Sequence, residues 1–430
     1  MALGADPQVA VVGVRRPAGD GPAAGWIGEA PFDAAAADDW EPAIAADPHR
    51  PFVYALVTRY GAGKPCPGNC PVPFIELEVS VDGGATWSPG APLCACKGPG
   101  QFDPIIEVVP TTGAVYAVYM NDFSVVFVTS TDHGASWTKP VRTYGKVAWT
   151  DKPALAMSDD GRDVYVSWNG PSDGDPWVAQ SHDFGATWKQ KKLVESARYF
   201  YAFDADVAPD GTVYFAESSL LYPTVDSFSP IGTIRQHVFI SRDRGTGWED
   251  HLVAEGPVGL ACVAEGCKDD FYMGHAALSA DATGDLVALY DQATAGGGLQ
   301  TVAVRRSTDA GRSWSAPLTL SKIGEEATSP AVESRGHGDV RAWWMQTAGV
   351  DVDRWNVWYR SSTDGGAHWT DALKISDASG GAPYKKRGGF LEVYGDYGEM
   401  AITSAGKSIA IWGEGNSYAG PGGVWLNLER

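Results

Sequence analysis

Residues 80–88 read SVDGGATWS, and near-copies recur as STDHGASWT (130–138), SHDFGATWK (181–189), SRDRGTGWE (241–249), STDAGRSWS (307–315) and STDGGAHWT (362–370). A phrase that returns every 50 to 66 residues marks one supersecondary unit repeated along the chain, with loop insertions between copies. A length of 430 residues alone would suggest two or three domains. The repeat assigns that length to one closed ring, so residues 1–430 are expected to form a single domain.

Ahead of each phrase lies an alternating β-branched and aromatic segment, such as FVYALVTRY, AVYAVYM, DVYVSW, TVYFAES or DLVALYD, which reads as a strand. Another short strand precedes it in every unit: EPAIAAD from Glu41, DPIIEVV from Asp103, KPALAMS from Lys152, DADVAPD from Asp204, HAALSAD from His275 and SPAVESR from Ser329. A seventh copy, GEMAITSAGKSIAIWGEG from Gly398, has no phrase after it and is one strand short. The segment QVAVVGV at residues 8–14 can supply that strand, with residues 15–40 a loop leading into the first full blade. The expectation is an all-β β-propeller of seven four-stranded blades closed by pairing of its N- and C-terminal strands; six blades is the alternative.

Within the phrase, the Asp can accept from backbone amides of its own turn, the Gly supplies a positive φ, and the Trp packs between sheets. The phrase resembles the Asp-box (BNR repeat) of the sialidase-like superfamily, which also includes xyloglucan-cleaving glycosidases and non-enzymatic propellers. The resemblance covers most of the chain and implies architecture more than chemistry, since the boxes of that family lie away from its active face. Its Thr position departs to Ser136, Gly247, Ser313 and His368, which are expected to be weaker fasteners.

The sialidase pattern itself is broken. Glu41, Asp291 and Gln346 stand where the resemblance calls for the three arginines that clamp a sugar carboxylate. Two pieces survive: Tyr397 matches the nucleophilic tyrosine and Glu217 its partner. A standard sialidase is therefore not expected.

Composition narrows the partners. Hydrophobic residues make up 44% and there are 17 Trp, enough for a large core, while the formal net charge of -20 repels nucleic acid and anionic lipid. No apolar run approaches the roughly 18 residues of a membrane helix. The N-terminus MALGADPQVA lacks a basic and apolar leader, so no secretion signal is read there. Six cysteines in local clusters (Cys66/Cys70, Cys94/Cys96, Cys262/Cys267) suit short disulfides in an oxidising, extracytoplasmic setting. A zinc site on Cys66, Cys70, Cys94 and Cys96 is the rival, weakened by the single residue within CAC.

Propellers bind ligands where their innermost strands converge, so chemistry is sought at the start of each first strand and the end of each second strand. Glu217, Asp291 and Glu414 end aromatic strands and are candidate acids and bases for glycoside cleavage, which needs one protonated and one ionised carboxyl group. A lyase would instead use Tyr397 or His275 as base, with Arg59 neutralising a uronate. Glu41, Arg59, Asn121, Asn169 and Gln346 are candidate substrate-binding residues, and Trp168 and Trp344 candidate sugar-stacking rings, together with Trp177, Trp343 and Trp412. The competing structural role for strand-start acids such as Asp103, Asp151 and Asp204 is to bond amides of the adjacent blade. The best reading is a secreted carbohydrate-active enzyme, hydrolase or lyase, acting on a glycan or polysaccharide as a monomer; the alternative is a non-catalytic ring that binds glycan or protein. No phosphate loop, dinucleotide fingerprint or H-E-x-x-H occurs, so no cofactor is required, although channel acids could hold a structural calcium ion.

Overall fold

The computed structural model describes residues 19–32, 38–60, 71–94, 98–170, 174–224, 229–260, 274–349, 351–383, 397–415 and 422–430. These residues form seven antiparallel sheets and no helix. The strands nearest the axis are Asp38–Ala46, Gln101–Val108, Asp151–Met157, Tyr199–Val207, Ala276–Ala280, Ala327–Arg335 and Glu399–Ile402, and they open blades 1 to 7 in that order. Each later strand of a blade lies one position further out, and blade 6 carries an added two-residue strand, Ala382–Pro383.

Blade 7 is completed from the other end of the chain. Its strands Glu399–Ile402, Ser408–Gly415 and Gly422–Leu428 take Ala30–Pro31 as the outermost member, with Ala30 opposite Leu426 and Pro31 opposite Trp425. The ring closes by pairing its termini, but the closing strand falls inside the segment read from sequence as a plain loop. The stretch QVAVVGV lies outside the described residues. The physical reason for the difference is spacing: Ala30–Pro31 stands just ahead of the inner strand of blade 1, where the outermost strand of blade 7 must end.

All six boxes fold alike. In the first, Ser80 Oγ donates to Asp82 Oδ1 at 2.8 Å and accepts from the Gly84 amide at 2.8 Å, while Asp82 accepts from the Thr86 amide at 2.8 Å and the Thr86 hydroxyl at 2.6 Å. The Thr departures are mostly not weaker. Ser136 and Ser313 keep the hydroxyl bond, and His368 replaces it with Nδ1 at 2.6 Å from Asp364 Oδ2. At Gly247 only the amide bond to Asp243 remains. Each box follows the third strand of its blade, so it lies at the end of the ring opposite the starts of the inner strands.

The box tryptophans fill the seams between sheets. Trp137, Trp188, Trp248, Trp314 and Trp369 pack with the preceding blade, and Trp87 with blade 7, where it meets Phe32 edge-on at 5.4 Å. Blade 7 has no box, so the seam between blades 6 and 7 lacks such a ring. Trp26, 2% exposed, takes its place from the N-terminal segment and meets Tyr359 edge-on at 5.1 Å. Truncating a buried ring of this size removes transfer energy and leaves a cavity. Trp26→Ala is therefore expected to cost about 3–5 kcal/mol, read as a lower denaturant midpoint, the range set by large-to-small core substitutions.

Candidate functional site at the channel mouth

The inner strands of four blades carry, within their first four residues, one in the left-handed region directly before a proline: Glu41 (φ 57), Asp103 (φ 47), Lys152 (φ 47) and Ser329 (φ 49). The strand register shifts at each of these points. A non-glycine residue at such φ, constrained further by the following proline, is strained and persists only when its surroundings hold it. Glu41 shows how. Its Oε2 accepts the Thr58 hydroxyl at 2.5 Å and the Asp103 amide of blade 2 at 2.9 Å.

Two of these residues, Asp103 and Lys152, meet around one tyrosine. Tyr397, just ahead of the inner strand of blade 7, lies with its hydroxyl 3.4 Å from Asp103 Oδ1, and the Lys152 ammonium stands 5.3 Å from the centre of its ring. Asp103 and Lys152 are buried and Tyr397 is half-buried at the lining of the axial cavity. Phenol, carboxylate and ammonium thus come from blades 7, 2 and 3.

His275 lines the same cavity. Its Nδ1 is 3.2 Å from Asp291 Oδ2 and 3.3 Å from the Thr328 hydroxyl, and its ring lies 4.9 Å from that of Phe203. Asp291 also accepts the Gly274 amide at 2.5 Å and the Thr328 hydroxyl at 2.6 Å, so it joins blade 5 to blade 6 as it orients the imidazole.

Deeper in the cavity are Glu107, Asp204, Asp206, Glu333 and Glu399. Asp204 accepts from the Leu278 amide at 2.8 Å, Asp206 from Ala280 at 2.7 Å, and Glu399 from Ile44 at 2.9 Å, each on the next blade. The structural role considered for strand-start acids is what Asp204 performs. Burial pushes Asp204 up to about 7 and Asp206 up to about 6, in spite of those amides. Burial, aided by neighbouring carboxylates, also holds Glu107, Glu333 and Glu399 well above the usual carboxylate range. Among the described residues no group of three or more His, Cys, Asp or Glu side chains is arranged to hold a metal ion.

Of the candidate catalytic and substrate-binding residues read from sequence, Tyr397 and His275 line this cavity. Glu217 accepts from Ser167 of blade 3, and burial pushes it up to about 8. Its strand, Val213–Leu221, continues past it, so it does not stand in a loop. The residue beside the Tyr397 hydroxyl is Asp103, whereas Glu217 sits in the seam between blades 3 and 4. Glu414 accepts from the Trp412 indole at 3.2 Å. Arg59 is held by both oxygens of Asp39, at 2.7 and 2.8 Å, and stands 2.6 Å from Glu76, all buried. Gln346 bonds the Lys322 amide, the Trp344 indole and Glu325, fastening the loop into blade 6.

Asn169 donates to the Phe200 carbonyl at 2.9 Å, while the side-chain oxygens of Asn121 and Asn169 are buried without a protein donor. Trp168, Trp343, Trp344 and Trp412 are fully buried and present no face to a sugar. Trp177 is half-buried, with the Lys192 ammonium 5.5 Å from its ring centre. Lys152, which the sequence reading did not single out, stands beside Tyr397; its signal is the shared pattern of a polar residue before proline in EPA, DPI, KPA and SPA. No cysteine is free among the described residues, where only Cys94 is included; the other five lie outside them.

No protein-family model matches the chain, and no characterised protein matches it in sequence. Solved structures do share its fold. One titled as a polysaccharide lyase of a new family, an ulvan lyase, has a TM-score of 0.53 at 13% identity, covering 91% of this chain and 94% of that one. A protein of unknown function from Dyadobacter fermentans DSM 18053 has a TM-score of 0.51 at 12% identity, covering 94% and 98%. The Hadza microbial sialidase Hz136 has a TM-score of 0.47 at 14% identity, covering 83% and 73%. At such identities the likeness is one of fold.

The buried acids fix the expected response of stability to pH. Asp204, Asp206, Glu217 and Glu326 hold protons up to about 7, 6, 8 and 7, whereas an unfolded chain releases them near pH 4. The folded ring therefore binds more protons than the unfolded chain across this window, and stability falls as pH rises through it. The box acids act in the opposite sense: Asp132, Asp183 and Asp309 are drawn down to about 2 by hydrogen bonds from their own turns, and that stabilisation is lost as pH falls toward 2. Tm measured across pH should pass through a maximum near pH ~4–5, and Glu217→Gln should flatten the alkaline limb.

Proposed function

We propose that the chain is a carbohydrate-active enzyme that cleaves an acidic polysaccharide by β-elimination at the channel mouth. The observation that carries this reading is the convergence of Tyr397, Asp103 and Lys152. Elimination from a uronate breaks the C5–H and C4–O bonds. It needs a base for the C5 proton, a cation for the charge that gathers on the carboxylate, and a proton for the departing oxygen.

Tyr397 as phenolate takes the C5 proton, its own proton having passed to Asp103, and as phenol returns a proton to the leaving oxygen. The Lys152 ammonium favours the phenolate and pairs with the uronate carboxylate. His275, oriented by Asp291, forms part of the cavity wall and is the second candidate base. The shared fold with an ulvan lyase is consistent with this chemistry. Hydrolysis by a carboxyl pair is less well supported, because Glu217, Asp291 and Glu414 are engaged in ties within and between blades.

The proposed reaction calls for no cofactor, so chelation is expected to leave turnover unchanged. A calcium ion held in the channel would instead show as a lower melting temperature after chelation. Secretion and a monomeric state remain part of the proposal, and size-exclusion chromatography with light scattering tests the latter.

Incubation with ulvan, polygalacturonate, alginate and neutral arabinan, followed by ultraviolet absorbance of the unsaturated uronate, tests the reaction. Tyr397→Phe and Lys152→Met should each lower turnover at least about a hundredfold while Tm holds, the scale of losing one acid–base group. Reducing ends released without that absorbance would replace elimination with hydrolysis. Binding without turnover in the native protein would favour the non-catalytic ring.

A further inference from the structure

Two groups of aromatic rings stand at this same end of the propeller, outside the reacting cluster. In the first, Phe102 and Phe123 have ring centres 6.5 Å apart at an interplanar angle of 20°, and Phe123 and Trp149 have centres 5.2 Å apart at 23°. Phe102 and Trp149 are half-buried, and Phe123 is 43% exposed. These residues come from the start of the inner strand of blade 2, the turn after its second strand, and the loop leading into blade 3. All three positions belong to the mouth end by topology.

In the second group, Tyr199 lies 4.9 Å from Tyr201 and 5.9 Å from Tyr222, and the hydroxyls of Tyr201 and Tyr222 are 3.3 Å apart. All three are half-buried. Tyr199 and Tyr201 alternate along the inner strand of blade 4 and so share one face of it. The Tyr199 ring is fixed from behind: a Cβ added at Gly174 would come within 2.2 Å of it.

Both groups abut the proposed reacting centre. Phe102 directly precedes Asp103, and Trp149 lies three residues before Lys152. Tyr199 is within electrostatic reach of Asp151 and Lys152. The first group spans blades 2 and 3, and the second stands on blade 4.

We propose that these two aromatic shelves are sugar-stacking subsites that hold rings of one polysaccharide chain on either side of the unit delivered to Tyr397. A pyranose has a face of C–H bonds and a rim of hydroxyls. It is matched on one side by the nearly parallel faces of Phe102, Phe123 and Trp149 and on the other by tyrosine rings set at 46° and 79° to Tyr199 and edged with phenol hydroxyls, and poorly matched by a closed apolar core. The shelves also supply the partly exposed rings that the fully buried tryptophans cannot. The occupant follows from the reading of the mouth as a glycan-cleaving centre, on which this inference rests.

The test is affinity electrophoresis through gels containing ulvan, polygalacturonate, alginate or neutral arabinan, comparing the native protein with Phe123→Ala and Tyr222→Ala. Tyr222→Phe is a control that keeps the ring. Phe184→Ala, an exposed ring in a box at the opposite end, is a second control. Loss of one stacked ring is expected to weaken binding up to about tenfold. Phe184→Ala should leave binding unchanged, and Tyr222→Phe should retain most of it.

Native-like retardation of both alanine variants, or no retardation of the native protein on any of the four gels, would overturn the proposal. Retardation that depends on Phe123 and Tyr222 without any turnover would uphold the subsites and overturn the elimination reading. If Tyr222→Ala fails to fold, Phe123→Ala still decides, because its ring is exposed and its loss leaves no core cavity.

Discussion

The structure depends on satisfying backbone donors along the inward edges of its seven sheets. The strand nearest the axis is paired on one side only, and its other edge looks into the channel, where unpartnered amides would be costly. The chain solves this with carboxylates from neighbouring blades: Glu41 caps the Asp103 amide, Asp204 and Asp206 cap Leu278 and Ala280, and Glu399 caps Ile44. These bonds join seams that have no sheet ladder. They also require several acids to sit around one axis, and burial then raises the proton affinity of Asp204, Asp206 and Glu399. Fastening the ring and acidifying its channel are one arrangement.

The proposed chemistry draws on that arrangement. Strained residues before proline are tolerable at the mouth because the seam bonds hold them, and they bring Asp103 and Lys152 to Tyr397 from separate blades. A carboxylate, an ammonium and a phenol distributed over three sheets keep their relation only while the sheets keep theirs. The boxes at the far end contribute by seating a tryptophan in six of the seven seams, which steadies the angle between sheets without approaching the mouth.

The ring was largely legible in the sequence because a box is a local object: Ser, Asp and Gly within five residues determine their own turn wherever they occur. Even there, residue type misled at Ser136, Ser313 and His368, whose side chains reach the same carboxylate oxygen as Thr86. The site was less legible. Glu217 looked like the end of a strand, but sheet pairing carries that strand on to Leu221 and turns the acid into a seam. Tryptophans that close aromatic strands looked available to sugars, and the packing of adjacent sheets buried them. Lys152 shares only the polar residue before proline with three other strand starts, and the ring alone brings it beside a tyrosine more than two hundred residues away in sequence.

The closure of blade 7 bears on how the molecule is made. Trp26 and Ala30–Pro31 leave the ribosome early, yet the sheet that receives them is finished only by Gly422–Leu428, and the Gly28 amide meets Asn427 Oδ1 at 3.2 Å across a separation of 399 residues. Until the last strand is synthesised, an indole and a strand edge wait uncovered while six blades can already be in place. Contacts of such long range form slowly and leave interrupted chains prone to aggregation. A chain stopped before Gly422 has a clasp with nothing to grip, so the cell's proteases and chaperones meet either an unclosed chain or a sealed ring.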